Sequence, residues 1–372
     1  MIYFDNAATT FPKPKCVYQS VLKCIEKYCG NPGRSSHTLS VRSDEEIYKA
    51  REAIARLLNI DKPEYVIFTK NATEALNLAI KTAIPQNSHV IISNIEHNSV
   101  VRPLFSLSKT KNLQYSCFAA EGDVKREIKS LLRKNTSAVI CNLLSNVNGK
   151  EIDMMAVSEV CRENGILFIA DASQRLGHKK TDLKSIPCDI LCAPGHKSLF
   201  GLQGVGFCVI CDGKIRESFI EGGSGSDSMN PYMPEYLPER YEAGTLPTPS
   251  IVGLRSGIDF INRVGIDNIE KKLGVLTDTL IEGLAEFKEV SFLSGENGIV
   301  SFNVTSLPST KTASILDSYG VCTRGGFHCC GGAHRMLGTE KSGTVRVSFS
   351  YLNTKSEIER FLRIMQKVIR LV

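Results

Sequence analysis

Short apolar runs alternate with amphipathic stretches through the middle of this chain. The runs at 65–69, 90–93, 114–118, 137–143, 166–171, 190–193 and 207–211 are built largely from Val, Ile, Phe, Ala and Cys, and they read as strands. Helical spacing occupies several of the gaps, at 71–82, after Asn98, at 125–133 and at 154–164. Strand, helix, strand repetition of this kind predicts an α/β fold, with a mostly parallel seven-stranded sheet covered by helices on both faces.

The flanks read differently. Residues 1–14 form an extended arm punctuated by Pro12 and Pro14, with small polar residues at 5–10 suited to close packing near a ligand. A helix at 15–29 stops at Gly30-Asn31-Pro32-Gly33. The polar loop Arg34-Ser35-Ser36-His37 follows, then a long amphipathic helix carrying Leu39, Val41, Ile47, Ala50, Ala53, Ile54 and Leu57, which ends near Asn59. Residues 213–249 are rich in Gly, Ser and Pro and predict a long loop at an active-site mouth or a subunit contact. Beyond it come helices at 250–264 and 266–286, strands at 290–293, 299–304 and 344–349, and helices at 310–319 and 356–371. The expected division is an arm (1–14) packed near the active site, a large domain (15–249) and a smaller α+β domain (250–372).

Composition narrows the function classes. The chain has 372 residues, is 42% hydrophobic and 23% charged, and carries a net charge of +6. Its Lys and Arg are scattered, without the stripe or cluster of a nucleic-acid footprint, so no nucleic acid is expected. No apolar run approaches the ~20 residues that span a bilayer, so no membrane is expected either. The first residues lack the charged and apolar regions of a signal peptide, which points to the cytoplasm. Thirteen cysteines, several of them inside apolar runs, fit a reducing compartment.

The informative polar residues sit at the ends of the predicted strands: Asn71 and Thr73, His97, Asn146, Asp171 with Gln174, and His196 with Lys197. Ligands of α/β sheets bind beyond the carboxyl ends of the strands. Each residue alone has an ordinary alternative as a cap or a turn former. Lys197 alone reads equally as a surface turn lysine or as an amine made nucleophilic by desolvation. Together they describe a pyridoxal 5'-phosphate site. The helix N-terminus at Thr73 suits a phosphate, Asp171 a protonated pyridine nitrogen, Lys197 an aldehyde and His97 the face of a flat ring.

A second cluster is Arg324-Gly325-Gly326-Phe327-His328-Cys329-Cys330. A cysteine on a Gly-rich loop beside His and Arg is expected to have a lowered pKa and to be a good nucleophile. Rival readings are a plain turn, or a zinc site drawing on Cys322, Cys329 or Cys330, His328 and His334; adjacent cysteines suit one tetrahedral ion poorly. Arg346, inside a short apolar run, predicts an anion to hold, such as a substrate carboxylate.

The motifs YFDNAATT, NPGRSSHTLS, NATEALNLA, EHNS, SNVNG, DASQ, GHK, RYEAGT, RGGFHC and GTVRVSFSYLNT follow one another in this order. In them the chain resembles the cysteine desulfurase and selenocysteine lyase family of class V aminotransferases, in the branch with the short RxGxHC loop. The resemblance covers nearly the whole chain and implies the PLP-dependent transferase fold of type I. It implies a Schiff-base role for Lys197, a ring-nitrogen contact for Asp171, a ring-hydroxyl contact for Gln174 and ring stacking for His97. It further implies that the phosphate is held by Thr73, the Ala72 backbone and His196. Thr245 would reach the phosphate of a second subunit, which implies a homodimer. Asn146 and Arg346, with His37 nearby, would hold the substrate carboxylate.

Cys329 matches the residue that accepts sulfur as a persulfide when L-cysteine becomes L-alanine, with a sulfur-acceptor protein downstream. Other reactions on the same scaffold are selenocysteine lysis, β-elimination and epimerisation, and a non-catalytic sulfur-transfer scaffold belongs to another class. Two positions depart from the pattern. Pro194 stands where a Ser or Thr hydroxyl would meet the phosphate, and Cys330 places a second thiol beside Cys329.

Overall fold

The computed structural model describes residues 1–33, 35–211 and 217–371. Arg34 and residues 213–216 of the predicted long loop lie outside the described residues. From 217 to 247 the chain carries no helix or strand.

Two strands tie the arm to the C-terminal part of the chain: β1 (Ile2–Tyr3) runs parallel to β11 (Val321–Cys322). The large sheet is built from β2 (Val66–Thr69), β3 (His89–Ser93), β4 (Gln114–Phe118), β5 (Thr136–Asn142), β6 (Leu167–Asp171), β7 (Ile190–Pro194) and β8 (Gly206–Ile210). Their spatial order is β2-β8-β7-β6-β5-β3-β4. Only β8 runs against its neighbours. The predicted mostly parallel seven-stranded sheet is therefore present, with boundaries within one or two residues of those expected.

The apolar runs are continuous rather than alternating because both faces of the sheet are buried. Ile91, Val139, Cys141, Phe168, Ala170 and Leu191 point into one core. Their neighbours Val90, Ile92, Ala138, Ile140, Ile169, Ile190 and Cys192 point into a second core on the other face.

The first core continues into the C-terminal part of the chain, where Val300, Phe302, Val345 and Phe361 belong to it. That part holds an antiparallel sheet of β9 (Val290–Glu296), β10 (Ile299–Val304), β12 (Arg324–Gly326) and β13 (Thr344–Ser348), in the order β12-β13-β10-β9. Strand β12 and the helix Gly331–Met336 were not anticipated; Arg324-Gly325-Gly326 has neither apolar content nor alternation to betray a strand. Phe4 of the arm is fully buried and packs edge-on against Phe349 and Phe361, with ring centroids 5.1 and 5.8 Å apart. The arm is thus part of this same core, more structured than an extended segment. Among the described residues, no helix is long and apolar enough to cross a membrane.

Because β2 points the same way as β3, β5, β6 and β7, their carboxyl ends meet along one edge. There Thr69, Ser93, Asn142, Asp171 and Pro194 end their strands. The arm and the segments carrying Arg324, His328 and Arg346 face that edge, and the candidate site lies between them.

Candidate active site

A cavity of 220 Å³ opens at this edge. Nine of the predicted site residues line it: Ala72, Thr73, His97, Asn146, Asp171, Gln174, His196, Lys197 and Arg346. Ala7, Ala8, Ser99 and Asn142 line it as well, with Arg324 and His328 from the C-terminal part of the chain.

On one side the cavity meets a helix N-terminus. Asn71 caps the helix Ala72–Ala83, its Oδ1 accepting from Glu74 N at 2.9 Å. Thr73 is therefore in the first turn, where free N–H groups and the dipole favour an anion. Gly206 makes this packing fit: a Cβ there would lie 2.6 Å from the Asn71 carbonyl carbon. His97 caps the next helix, Asn98–Thr110. Its Nδ1 accepts from Ser99 N at 3.0 Å, so the neutral ring carries its proton on Nε2. Burial lowers the His97 pKa, with Asp171 acting in the opposite direction and Lys197, Arg324 and Arg102 reinforcing the fall.

Asp171 is buried at the end of β6, and its Oδ1 accepts from Ser173 N at 2.9 Å. Lys197 lies beyond the end of β7 on a turn held from several directions. Gly201 N donates to Gly195 O, and Phe200 N to Lys197 O, both at 2.8 Å. From the arm, Thr10 Oγ1 donates to Lys197 O at 2.9 Å and Lys13 Nζ to His196 O at 2.7 Å. Desolvation pulls the Lys197 amine down to about 8; Asp171 opposes this, while Arg346 and Arg324 add to it. His196 falls to about 4 through burial and the nearby Lys197 and Lys13 charges, so its ring is neutral at pH 7. Lys197 is half-buried and lines the cavity, which favours the desolvated amine of its two readings.

Several buried polar atoms in the lining have no partner within the protein. Among the described residues they are Gln174 Oε1, Asn146 Oδ1, His196 Nδ1, His328 Nδ1 and Arg346 Nε. Gln174 is fixed by its other end, Nε2 donating to Ala7 O at 2.9 Å, so Oε1 is an aimed acceptor. Buried polar groups are ordinarily paired, and such a set marks where a polar ligand belongs. A phosphate-suited helix start, a carboxylate, a neutral imidazole, an acceptor amide and a low-pKa amine around one cavity fit pyridoxal 5'-phosphate.

The cysteine loop joins the cavity through Arg324. Arg324 lines the cavity, and its Nη2 lies 3.9 Å from Cys329 Sγ. Cys329 is exposed and borders an adjoining cleft that shares Thr73, His97 and Ser99 with the main cavity. His328 was expected to be a cationic neighbour of the thiol, and it is not. Its Nε2 contacts Thr344 Oγ1 at 3.0 Å, and burial, with Arg346 and His334 nearby, drives its pKa to about 2. The cation beside Cys329 is Arg324. Cys330 faces the other way, fully buried, its Sγ donating to Ile95 O and Glu96 O at 3.2 Å. Its thiol is pushed up to about 12 by burial. The two adjacent sulfurs therefore do not share a site.

Besides Cys329, two expected residues lie outside the cavity. His37 is exposed and caps the helix Thr38–Leu58, Nδ1 accepting from Ser40 N at 3.2 Å; capping is the role its position after a polar loop serves. Thr245 is exposed on the long loop segment. Ser99 looks like any helix-start serine and Lys13 sits far from Lys197 along the chain, so neither is expected at the site; Thr10 lies in the 5–10 stretch expected near a ligand. Glu96 stands in the EHNS motif with no role assigned to it. It is a fully buried acid whose Oε1 accepts from Ser93 Oγ and from Asn142 N.

Residues 2–361 match the class-V aminotransferase family, and the chain belongs to it. A protein of Methanothermobacter thermautotrophicus named "Probable cysteine desulfurase" is 32% identical, the alignment covering 96% of this chain and 92% of that one. A Pyrococcus abyssi protein of the same name is 31% identical over 100% of this chain and 94% of its own. Among solved structures, the apo cysteine desulfurase of Thermococcus onnurineus NA1 superposes with a TM-score of 0.91 at 30% identity, covering 100% of this chain and 95% of that one. The cysteine desulfurase CsdA of Escherichia coli shares the fold, with a TM-score of 0.90 at 21% identity over 100% of this chain and 95% of its own.

Proposed function

We propose that this chain is a pyridoxal-phosphate-dependent cysteine desulfurase that converts L-cysteine to L-alanine and carries the released sulfur as a persulfide on Cys329. One observation carries the reading: Arg324 links the cavity of Lys197 to the Cys329 thiol. It lines the first and stands 3.9 Å from the second.

In this reading Thr73, the Ala72 backbone and His196 hold the cofactor phosphate. Asp171 holds the ring nitrogen, Gln174 Oε1 accepts from the ring hydroxyl and His97 covers the ring face. The cofactor, when bound, supplies the electron sink that makes the substrate Cα acidic. Lys197, with its amine near 8, exchanges a proton at the substrate Cα at neutral pH. Asn146 and Arg346 bind the substrate carboxylate. Cys329, as thiolate, forms an S–S bond to the substrate sulfur as the C–S bond breaks. The bonding pair stays with carbon, which takes up a proton, and alanine leaves. Arg324 steadies the thiolate.

The same reading takes 15–249 and 250–372 as the two domains and makes the enzyme a homodimer, Thr245 of each copy reaching the other's cofactor phosphate. A sulfur-acceptor protein approaches the exposed Cys329. Thirteen free thiols are in keeping with the cytoplasm. The direct assay is the purified holoenzyme with L-cysteine and a reductant: equal amounts of alanine and sulfide support the reading, and cysteine left unchanged refutes it.

A further inference from the structure

Among the described residues Arg346 is the largest fully buried side chain, and it already has an anion. Its Nη2 donates to Asp5 Oδ1 at 2.8 Å, and its Nη1 to Asn146 O at 2.8 Å, leaving Nε as the nitrogen with no partner among the described residues. The two residues are 341 positions apart. They meet because the arm runs beside β13, where Asp5 bridges Ser348 and Asn6 N donates to Ser348 O at 3.3 Å.

The pair is asymmetric. The Arg346 side chain is 2% exposed, whereas that of Asp5 is 21% exposed. The arginine cannot turn to water, but the aspartate can. The backbone of Asp5 is pinned on both sides, by the bridge to Ser348 and by Phe4 N donating to Cys322 O at 2.9 Å. Movement of Asp5 is therefore a side-chain rotation and not a displacement of the arm.

We propose that Asp5 is a built-in carboxylate that competes with the amino-acid substrate for Arg346, and that it swings to solvent when the substrate carboxylate binds. This rests on the reading above, in which Arg346 anchors that carboxylate. The guanidinium offers five donors in a planar fork, and a carboxylate takes two of them together. With Asp5 on Nη2, an incoming carboxylate has Nε but not the fork. Releasing Asp5 opens the Nε and Nη2 pair. The resident carboxylate also keeps the buried cation compensated while the substrate is absent, where an unpaired charge would be costly. Asp5 thus lowers affinity for every ligand bearing a carboxylate and leaves ligands lacking one untouched.

The test measures binding to the holoenzyme by titration of its visible absorbance, with L-alanine as the carboxylate-bearing probe and ethylamine as the probe without one. Asp5→Asn should tighten L-alanine about tenfold, the scale of one charge-assisted hydrogen bond regained, and leave ethylamine within about twofold. Asp5→Glu, which restores a carboxylate, should return L-alanine affinity toward wild type. Arg346→Lys should weaken L-alanine alone. If Arg346→Lys weakens L-alanine but Asp5→Asn does not tighten it, competition by Asp5 is wrong while the anchoring role of Arg346 stands. If Arg346→Lys leaves L-alanine unchanged, the anchoring role and the competition both fall. A crystal of wild-type holoenzyme soaked with L-alanine gives an answer independent of any variant: Asp5 should have left Arg346, and an intact Asp5 contact beside a bound alanine carboxylate overturns the proposal.

Discussion

Ser99 Oγ lies 2.8 Å from Thr73 Oγ1 and 2.9 Å from His97 Nδ1. One hydroxyl therefore joins the residue proposed for the phosphate to the residue proposed for the ring face. Ser99→Ala removes both contacts and leaves His97 held by one backbone N–H. A net loss of about 1 kcal/mol is expected, or roughly a fivefold weaker hold on the cofactor. Reconstitution of the apoprotein, followed by visible absorbance, measures it; unchanged affinity would mean that the hydroxyl positions neither neighbour.

Pro194 has no hydroxyl and no N–H to offer the phosphate, yet it lines the cavity. Pro194→Ser should tighten cofactor binding severalfold in the same titration. No gain would show that the end of β7 is too far from the phosphate to contribute.

Lys197 becomes a free amine above about pH 8 rather than above 10.5, because burial disfavours its charge. The rate at which apoprotein couples with the cofactor aldehyde should rise with pH and level off above pH 8. A rise that continues toward pH 10 would contradict the desolvated amine.

Glu96 is pushed up from 4.5 to about 8, chiefly by burial, against the bonds from Ser93 and Asn142. The folded state then holds a proton that the unfolded chain releases near 4.5. Its contribution to stability is full below about pH 4.5 and is lost as pH rises through about 8. Glu96→Gln keeps the acceptor for Asn142 N without the ionisation. It should flatten the decline of unfolding free energy between pH 5 and pH 9 in apoprotein, measured by denaturant titration, by an amount of the order of a few kcal/mol. An unchanged decline would place the titration elsewhere.

Most of the large sheet was legible because a strand buried on both faces has no polar alternation to confuse it. The run read at 137–143 is β5, Thr136–Asn142, one residue earlier. The site was legible where strand ends carry unusual polar residues, as at Asp171 and Lys197. What stayed hidden depends on contacts between distant segments. Neither the Asp5–Arg346 pair nor the grip of Thr10 and Lys13 on the Lys197 turn leaves a trace in local sequence. The expectation that His328 would act on Cys329 failed for a related reason. Adjacent residues in a turn with left-handed backbone, φ 49° at His328 and 57° at Cys329, send their side chains to different surroundings.

Cys329 is exposed and Cys330 is sealed away, so sulfur should reach only one of them. The most direct measurement is the mass of the 329–330 peptide after brief incubation of the holoenzyme with L-cysteine and no reductant. One added sulfur, present in Cys330→Ala and absent from both Cys329→Ala and Lys197→Ala, is the predicted result. Sulfide release that continues undiminished in Cys329→Ala, with no sulfur on this peptide in the wild type, would contradict it.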